Sequence, residues 1–122
     1  MQTILVIDDD PIVRSTIARI LERRSYRVLT AENGVKGLRL FADERPDLVI
    51  TDIIMPEMEG IGTLLEMRRE RPDAKVIAIS GGGRLGNTDF LDMAKKLGAC
   101  AVIEKPFDAH ELLSRVAAAL SP

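Results

Sequence analysis

Five short apolar runs, separated by stretches with helical periodicity, constrain most strongly how this chain can fold. They are rich in Val and Ile and lie at residues 4–7, 26–29, 48–50, 76–79 and 100–103. Strands that are apolar along their whole length are typical of a parallel sheet that is covered by helices on both faces. The pattern therefore predicts a doubly wound α/β fold, with a five-stranded parallel sheet and five helices.

Helix-start signals and apolar stripes mark the five predicted helices. Asp10 followed by Pro11 is typical of a cap and a first-turn proline, and Asp108 with Glu111 resembles a capping box before the last helix. The apolar stripes are Val13, Ile17, Ile20 and Leu21 in the first helix, Leu38 and Phe41 in the second, Ile61, Leu64 and Leu65 in the third, Phe90, Ala94 and Leu97 in the fourth, and Leu112, Leu113, Val116 and Leu120 in the last.

Length and charge narrow the function classes. The 122 residues suit one domain, and 17 basic against 19 acidic residues give no long-range attraction to nucleic acid or to an anionic membrane. No apolar run approaches the roughly 18 residues that span a bilayer, and no signal peptide is evident at the start. We therefore expect a cytoplasmic single domain over residues 1–122, without an output domain. Cys100, the single cysteine, is predicted to be a buried core residue.

Polar side chains directly follow four of the five apolar runs. These residues are Asp8-Asp9-Asp10, Thr51-Asp52, Ser80-Gly81 and Glu104-Lys105-Pro106. Ligands of open parallel sheets bind beyond the carboxyl ends of the strands, especially where the strand order reverses. In the flavodoxin-like order 2-1-3-4-5, the third strand lies beside the first, which would bring Asp52 next to Asp8 and Asp9.

Carboxylates that meet at this edge need a compensating cation. At about 4 Å, two carboxylates repel by roughly 4 kcal/mol at an effective dielectric of 20. A divalent ion together with Lys105 would offset this repulsion, and oxygen ligands favour Mg²⁺ over Zn²⁺. A carboxylate between a metal and a lysine is placed to attack phosphorus, which makes Asp52 the candidate nucleophile. Ser80 could then donate a hydrogen bond to the new phosphoryl group.

Taken together, the chain resembles the response-regulator receiver domains of bacterial two-component signalling. The matching segments are residues 4–10, residues 47–56 with Gly60, then Ser80-Gly81, and Lys105-Pro106-Phe107. The resemblance implies that Asp52 accepts phosphate from a sensor histidine kinase or a histidine phosphotransfer protein. It also implies that Asp9, Asp52 and the Ile54 carbonyl bind Mg²⁺ directly, that Asp8 helps through water, and that Ser80 and Lys105 contact the phosphoryl group. A downstream effector would bind the surface of the fourth helix, fifth strand and fifth helix; direct contact with nucleic acid is not expected.

Two departures from the family pattern, at three positions, affect the predicted function. Val102 stands three residues before the lysine, where the family often has the Tyr or Phe that turns inward on phosphorylation. Coupling through the glycine-containing loop at residues 81–87 is our hypothesis for this chain. Ile54 and Gly82 also lack polar side chains that could orient an attacking water, which leaves the phosphoryl lifetime open.

Three other functions are compatible with parts of the sequence. Asp8-x-Asp10 after a strand also occurs in Mg²⁺-dependent phosphohydrolases with an aspartyl nucleophile, although 122 residues leave little room for a substrate pocket. Residues 81–86 match G-x-G-x-x-G, and Glu104 follows as a ribose-binding acid would, but the better helix start lies after the glycines. A phosphorylation-independent interaction domain is the third alternative.

Overall fold

Five parallel strands form one sheet at the centre of the molecule. The computed structural model describes residues 1–52, 59–80, 95–96 and 98–121, without the side chains of residues 59–61 and 80. The strands are β1 (Thr3–Ile7), β2 (Arg27–Ala31), β3 (Leu48–Asp52), β4 (Val76–Ser80) and β5 (Ala101–Glu104). They pair in the order β2-β1-β3-β4-β5. The predicted sheet and its strand order are therefore confirmed.

Helices connect the strands and cover both faces of the sheet. Those described are α1 (Pro11–Glu22), α2 (Gly34–Glu44), α3 (Glu59–Glu70) and the C-terminal helix (Ala109–Leu120). Phe90, Ala94 and Leu97, which mark the fourth predicted helix, lie outside the described residues, whereas Lys95 and Lys96 between them are helical.

Local capping contacts fix where these helices begin. Asp10 accepts hydrogen bonds from the backbone N–H groups of Ile12 and Val13 at 2.9 and 3.4 Å, and Asp108 accepts one from Glu111 at 2.7 Å. Both predicted caps are confirmed. Asn33 caps α2 in the same way, with Lys36 N–H as the donor at 2.9 Å, and this cap was missed in the sequence. Each contact satisfies an N–H that has no partner within its helix.

Alternating side chains of the strands divide the core into two layers. On one face, Ile4, Val6 and Ile50 pack with Ile17 of α1 and Leu112 of the C-terminal helix. The opposite layer contains Leu5, Ile7, Val49, Phe41 of α2 and Leu64 of α3. The central strands need apolar residues at consecutive positions because both of their faces are covered.

Among the described residues, Leu65 of the predicted apolar stripe in the third helix is 48% exposed, and Cys100 does not occupy the buried position predicted for it. Its side chain is exposed, although its backbone N–H donates to the Val76 carbonyl at 2.7 Å. Cys100 immediately precedes β5, which is an edge strand with a neighbour on one side only. The apolar residues around Cys100 in the sequence were therefore a misleading signal of burial.

Candidate functional site

The register of the sheet brings the ends of four of its strands to one edge. Ile7 of β1 pairs with Thr51 of β3, so Asp8 and Asp52, the next residues, emerge side by side. Ser80 of β4 pairs with Glu104 of β5, so Lys105 follows on the same edge. The carboxyl edge of the sheet thus collects residues that are far apart in sequence, as expected for parallel strands.

Lys105 bridges the two buried carboxylates. Its Nζ lies 3.2 Å from Asp8 Oδ2 and 3.0 Å from Asp52 Oδ2. The side chains of Asp8 and Asp52 are only 1% and 6% exposed, and that of Lys105 is 20% exposed. Charges this deeply buried require partners, and charge-assisted hydrogen bonds supply them here. The bridge confirms that the lysine meets the acidic residues of β1 and β3.

Asp8 remains an unfavourable place for a negative charge. Burial raises the pKa of its carboxyl group, and the nearby negative charge of Asp52 adds to this effect. The hydrogen bond that Asp8 Oδ1 accepts from Asp10 N–H, 2.8 Å long, and the charge of Lys105 only partly oppose the rise in pKa. For Lys105, burial acts to lower the pKa, but the hydrogen bond and charge of Asp52, together with Asp8, outweigh it and raise the pKa. The Lys105 ammonium is therefore held in its charged form. Its single positive charge does not balance the negative charges of both Asp8 and Asp52.

Asp8, Asp9 and Asp52 form a group that fits a hard cation. One carboxylate oxygen from each lies within 4.8 Å of the others. Oxygen-only donors at such spacing suit Mg²⁺, which keeps several water ligands and takes few carboxylates from the protein. Asp10 does not belong to this group because its carboxylate caps α1. The phosphohydrolase alternative would require both Asp8 and Asp10 at the site. Only Asp8 lies there, because Asp10 caps α1.

The remaining predicted site residues are described only in part. Ser80 ends β4, the strand beside β3, but its side chain lies outside the described residues. The Ile54 carbonyl, Gly82 and the loop at residues 81–87, including the dinucleotide-like glycines, lie outside them as well. Val102 is half-buried and packs on the core layer that contains Phe41.

Two residues near the site were missed in the sequence. Arg14 donates from Nη1 to the Asp8 carbonyl oxygen at 2.7 Å. Ile12 is 75% exposed on α1, next to a groove that reaches Lys105. Their positions in the first turn of the helix that follows Asp8-Asp9-Asp10 were the only signal in the sequence, because such residues must lie close to the end of β1.

Comparison with known proteins agrees with this fold. The model of the family described as "Response regulator receiver domain" matches residues 4–117. The chain therefore belongs to the response-regulator receiver domain family, whose members serve two-component signalling as switches rather than as classical enzymes.

Individual relatives differ in how much of their length the chain spans. It is 37% identical over 114 residues to the chemotaxis protein CheY of Listeria monocytogenes, covering 93% of each chain. It is 36% identical over 119 residues to the DNA-binding transcriptional regulator NtrC of Azospirillum brasilense, covering 98% of this chain but 24% of NtrC. The crystal structure of the response regulator TrrA from Thermotoga maritima in complex with Mg²⁺-BeF superposes with a TM-score of 0.86 at 33% identity, covering 98% and 100% of the two chains. The chain thus spans nearly all of one relative and about a quarter of another.

Within the described part of the chain, no helix combines the length and the apolar character that crossing a bilayer requires.

Proposed function

We propose that this chain is a phosphorylation-controlled switch in which Asp52 accepts a phosphoryl group from a sensor histidine kinase or a histidine phosphotransfer protein. The observation that carries the proposal is the cluster at the carboxyl edge of the sheet. There, one lysine bridges Asp8 and Asp52, and three carboxylates can share a cation. Such a site neutralises a phosphoryl group from two directions.

In the proposed transfer, Asp52 is the nucleophile. One of its carboxylate oxygens forms a bond to phosphorus while the bond from phosphorus to the donor nitrogen breaks, and the donor histidine leaves as neutral imidazole after taking up a proton. The Lys105 ammonium, already within hydrogen-bond distance of Asp52, is placed to pair with a phosphoryl oxygen. The reaction yields an acyl phosphate on the protein and no released metabolite.

Mg²⁺ would be held by Asp9, Asp52 and the Ile54 carbonyl, with Asp8 acting through water, and would neutralise charge on the phosphoryl oxygens. Support comes from the donor set, which is entirely oxygen, and from the complex of TrrA with Mg²⁺-BeF. Ser80 is proposed to donate a hydrogen bond to the phosphoryl group from the end of β4, beside β3.

We propose that phosphorylation changes the binding of a downstream effector through the surface formed by the fourth predicted helix, β5 and the C-terminal helix. Lys95 and Lys96 are exposed on this side and available to an acidic partner. Because Val102 replaces the family's frequent aromatic residue, the change cannot be the rotation of an aromatic ring. It would instead be carried by the segment that follows Ser80.

Metal-dependent formation of an acyl phosphate tests the proposal. After incubation with acetyl phosphate and Mg²⁺, intact mass spectrometry should detect one added phosphoryl group per chain, and hydroxylamine should remove it. The same incubation with excess EDTA should leave the mass unchanged, because the carboxylates then lack their cation. A protein that gains no phosphoryl group with Mg²⁺, or gains as much in EDTA, would contradict the proposed function.

A groove beside the site suggests where the donor protein binds. Its apolar walls include Ile12 of α1 and the segment Pro106-Phe107, it encloses about 290 Å³, and Lys105 lies at its edge. Ile12 is 75% exposed and adjoins the other apolar residues that line this groove, so together they form a continuous apolar surface. A protein that delivers a phosphoryl group to Asp52 must cover this edge of the sheet, and Ile12 offers it an apolar anchor.

Ile12→Glu is therefore expected to slow phosphotransfer from a histidine kinase by at least about 10-fold, since a charge would be buried in the contact. Any purified kinase that phosphorylates the unsubstituted chain can serve, with radiolabelled transfer as the measurement. Phosphorylation by acetyl phosphate should not change, because this donor needs no docking surface. Val35→Glu is the matched control, since Val35 is 69% exposed on α2, across the sheet. Equal losses in both variants, or a loss with acetyl phosphate, would contradict the docking site.

A further inference from the structure

We propose that Arg14 is a positioning residue for the cation site, because it fixes the peptide group that joins Asp8 to Asp9. This inference rests on the proposed function and names a further residue on which that function depends. Arg14 contacts neither the phosphoryl position nor a cation ligand's side chain. It acts through the backbone.

The backbone of Asp8 is held on both sides. Its N–H donates to the Ala31 carbonyl of β2 at 3.2 Å, and its carbonyl accepts from Arg14 Nη1 at 2.7 Å. Its carboxylate is held separately, by Asp10 N–H and by Lys105. Asp8 therefore has little freedom, and the Arg14 contact fixes the plane of the peptide that leads into Asp9.

The orientation of the Asp9 side chain depends on that peptide plane more than the orientation of the Asp8 side chain does. Its side chain is exposed, and its carboxylate forms no hydrogen bond or ion pair with any residue that the structure describes. The backbone therefore sets the direction in which the Asp9 side chain leaves the chain, and no described side chain holds its carboxylate near Asp8 and Asp52. Turning the peptide between Asp8 and Asp9 would turn the Asp9 side chain away from the shared cation position.

Arg14 is itself well placed to hold this peptide. It lies in the first turn of α1, where its N–H donates to the Asp10 carbonyl at 3.0 Å. Its half-buried side chain lines a cavity of about 240 Å³ together with Glu32 and Lys36, which form an ion pair with each other. Glu32 is thus already engaged by Lys36, and the short contact of the guanidinium is to the Asp8 carbonyl.

If Arg14 acts only through its charge, its loss should change the Mg²⁺ affinity in one direction, and if it acts by positioning, in the opposite direction. A positive charge near the carboxylates repels a cation, so its removal should tighten Mg²⁺ binding if charge were its only effect. If Arg14 holds the ligand geometry, its removal should weaken binding instead. Loss of a contact that orients a metal ligand typically weakens metal affinity by about 10-fold or more.

The test is calorimetric titration of Mg²⁺ into the metal-free chain and into Arg14→Met, which keeps the stem of the side chain and removes the guanidinium. We expect the Kd for Mg²⁺ to rise by about 10-fold. Arg19→Met is the matched control, because Arg19 is exposed on the same helix, and its Kd should stay within about 2-fold of the unsubstituted value. At saturating Mg²⁺, the rate of phosphorylation of Arg14→Met by acetyl phosphate should largely recover.

A second measurement needs no metal. The backbone amide resonance of Asp9 in EDTA should shift in Arg14→Met and stay in place in Arg19→Met. Urea unfolding of each variant verifies that it is folded, and Arg14→Leu, which also lacks a donor, replaces Arg14→Met if the latter does not fold. An unchanged or lower Kd for Mg²⁺, or an unmoved Asp9 resonance, would overturn the role of Arg14. If the unsubstituted chain itself bound no Mg²⁺, the proposed function would fail, whereas the Asp9 resonance would still report on Arg14.

Discussion

The Asp52→Asn variant is expected to gain no phosphoryl group from acetyl phosphate and Mg²⁺, under conditions in which the unsubstituted chain is modified. The amide oxygen of Asn is a far weaker nucleophile than a carboxylate, and an attack through it would not give a stable acyl phosphate. Asn also removes one of the three carboxylates that can share the cation. Both effects act in the same direction, so the loss should be complete within the detection limit of intact mass spectrometry.

Asp43→Asn provides the control for this experiment. Asp43 is exposed on α2, so its replacement changes the same atoms without touching the carboxyl edge of the sheet. The control should be phosphorylated like the unsubstituted chain. If Asp52→Asn were still modified while Asp8→Asn was not, the nucleophile would be Asp8, and the phosphohydrolase interpretation of the first strand would replace ours.

Asp8→Asn is expected to stabilise the metal-free protein near pH 7. Burial first, and Asp52 second, raise the pKa of Asp8 above its ordinary value. A carboxyl group whose pKa is raised on folding destabilises the folded state progressively as the pH rises from its ordinary pKa to the raised pKa, and fully above the raised pKa. Asn removes this charge and keeps an oxygen that can accept the hydrogen bond from Asp10 N–H.

The stabilising effect of this substitution should depend on pH and on metal. It should shrink as the pH falls from the raised pKa of Asp8 to its ordinary pKa, because below both values the carboxyl group is neutral in the folded and the unfolded chain alike. Mg²⁺ at ten times its Kd should stabilise the unsubstituted chain by about 1.4 kcal/mol, and Asp8→Asn should lose most of this gain. Urea unfolding over a range of pH in EDTA measures the first effect, and urea unfolding with and without Mg²⁺ measures the second. Asp43→Asn is again the control. A variant less stable than the unsubstituted chain in EDTA would mean that the Lys105 contact outweighs the cost of burying Asp8.

The elements of the fold were predictable because their signals are local. Asp10 and Asp108 cap helices through contacts with residues two or three positions away, so their side chains and sequence positions were enough to identify them. The strands were identified by continuous apolar runs, which covered sheet faces require. The cap at Asn33 was missed, although its signal is of the same local kind.

The composition of the site was predictable, but its contacts were not. Polar residues that follow strands of a parallel sheet must meet at one edge, so Asp8, Asp9, Asp52 and Lys105 could be grouped before any distance was known. The contact of Arg14 with the Asp8 carbonyl depends on how α1 leaves the sheet. In the sequence, only its position in the first turn of α1 distinguishes this arginine from the exposed Arg19 in the last turn, and that position does not specify the contact.

The sequence by itself determined the strands, the helix starts and the set of charged groups, because apolar periodicity and capping act over a few residues. Only the tertiary structure decided that Lys105 bridges Asp8 and Asp52, which lie 97 and 53 positions from it along the chain. It also decided that Cys100 is exposed beside an edge strand and that Ile12 points into solvent. These outcomes depend on which surfaces pack against each other in the folded chain. Local sequence patterns do not specify that packing.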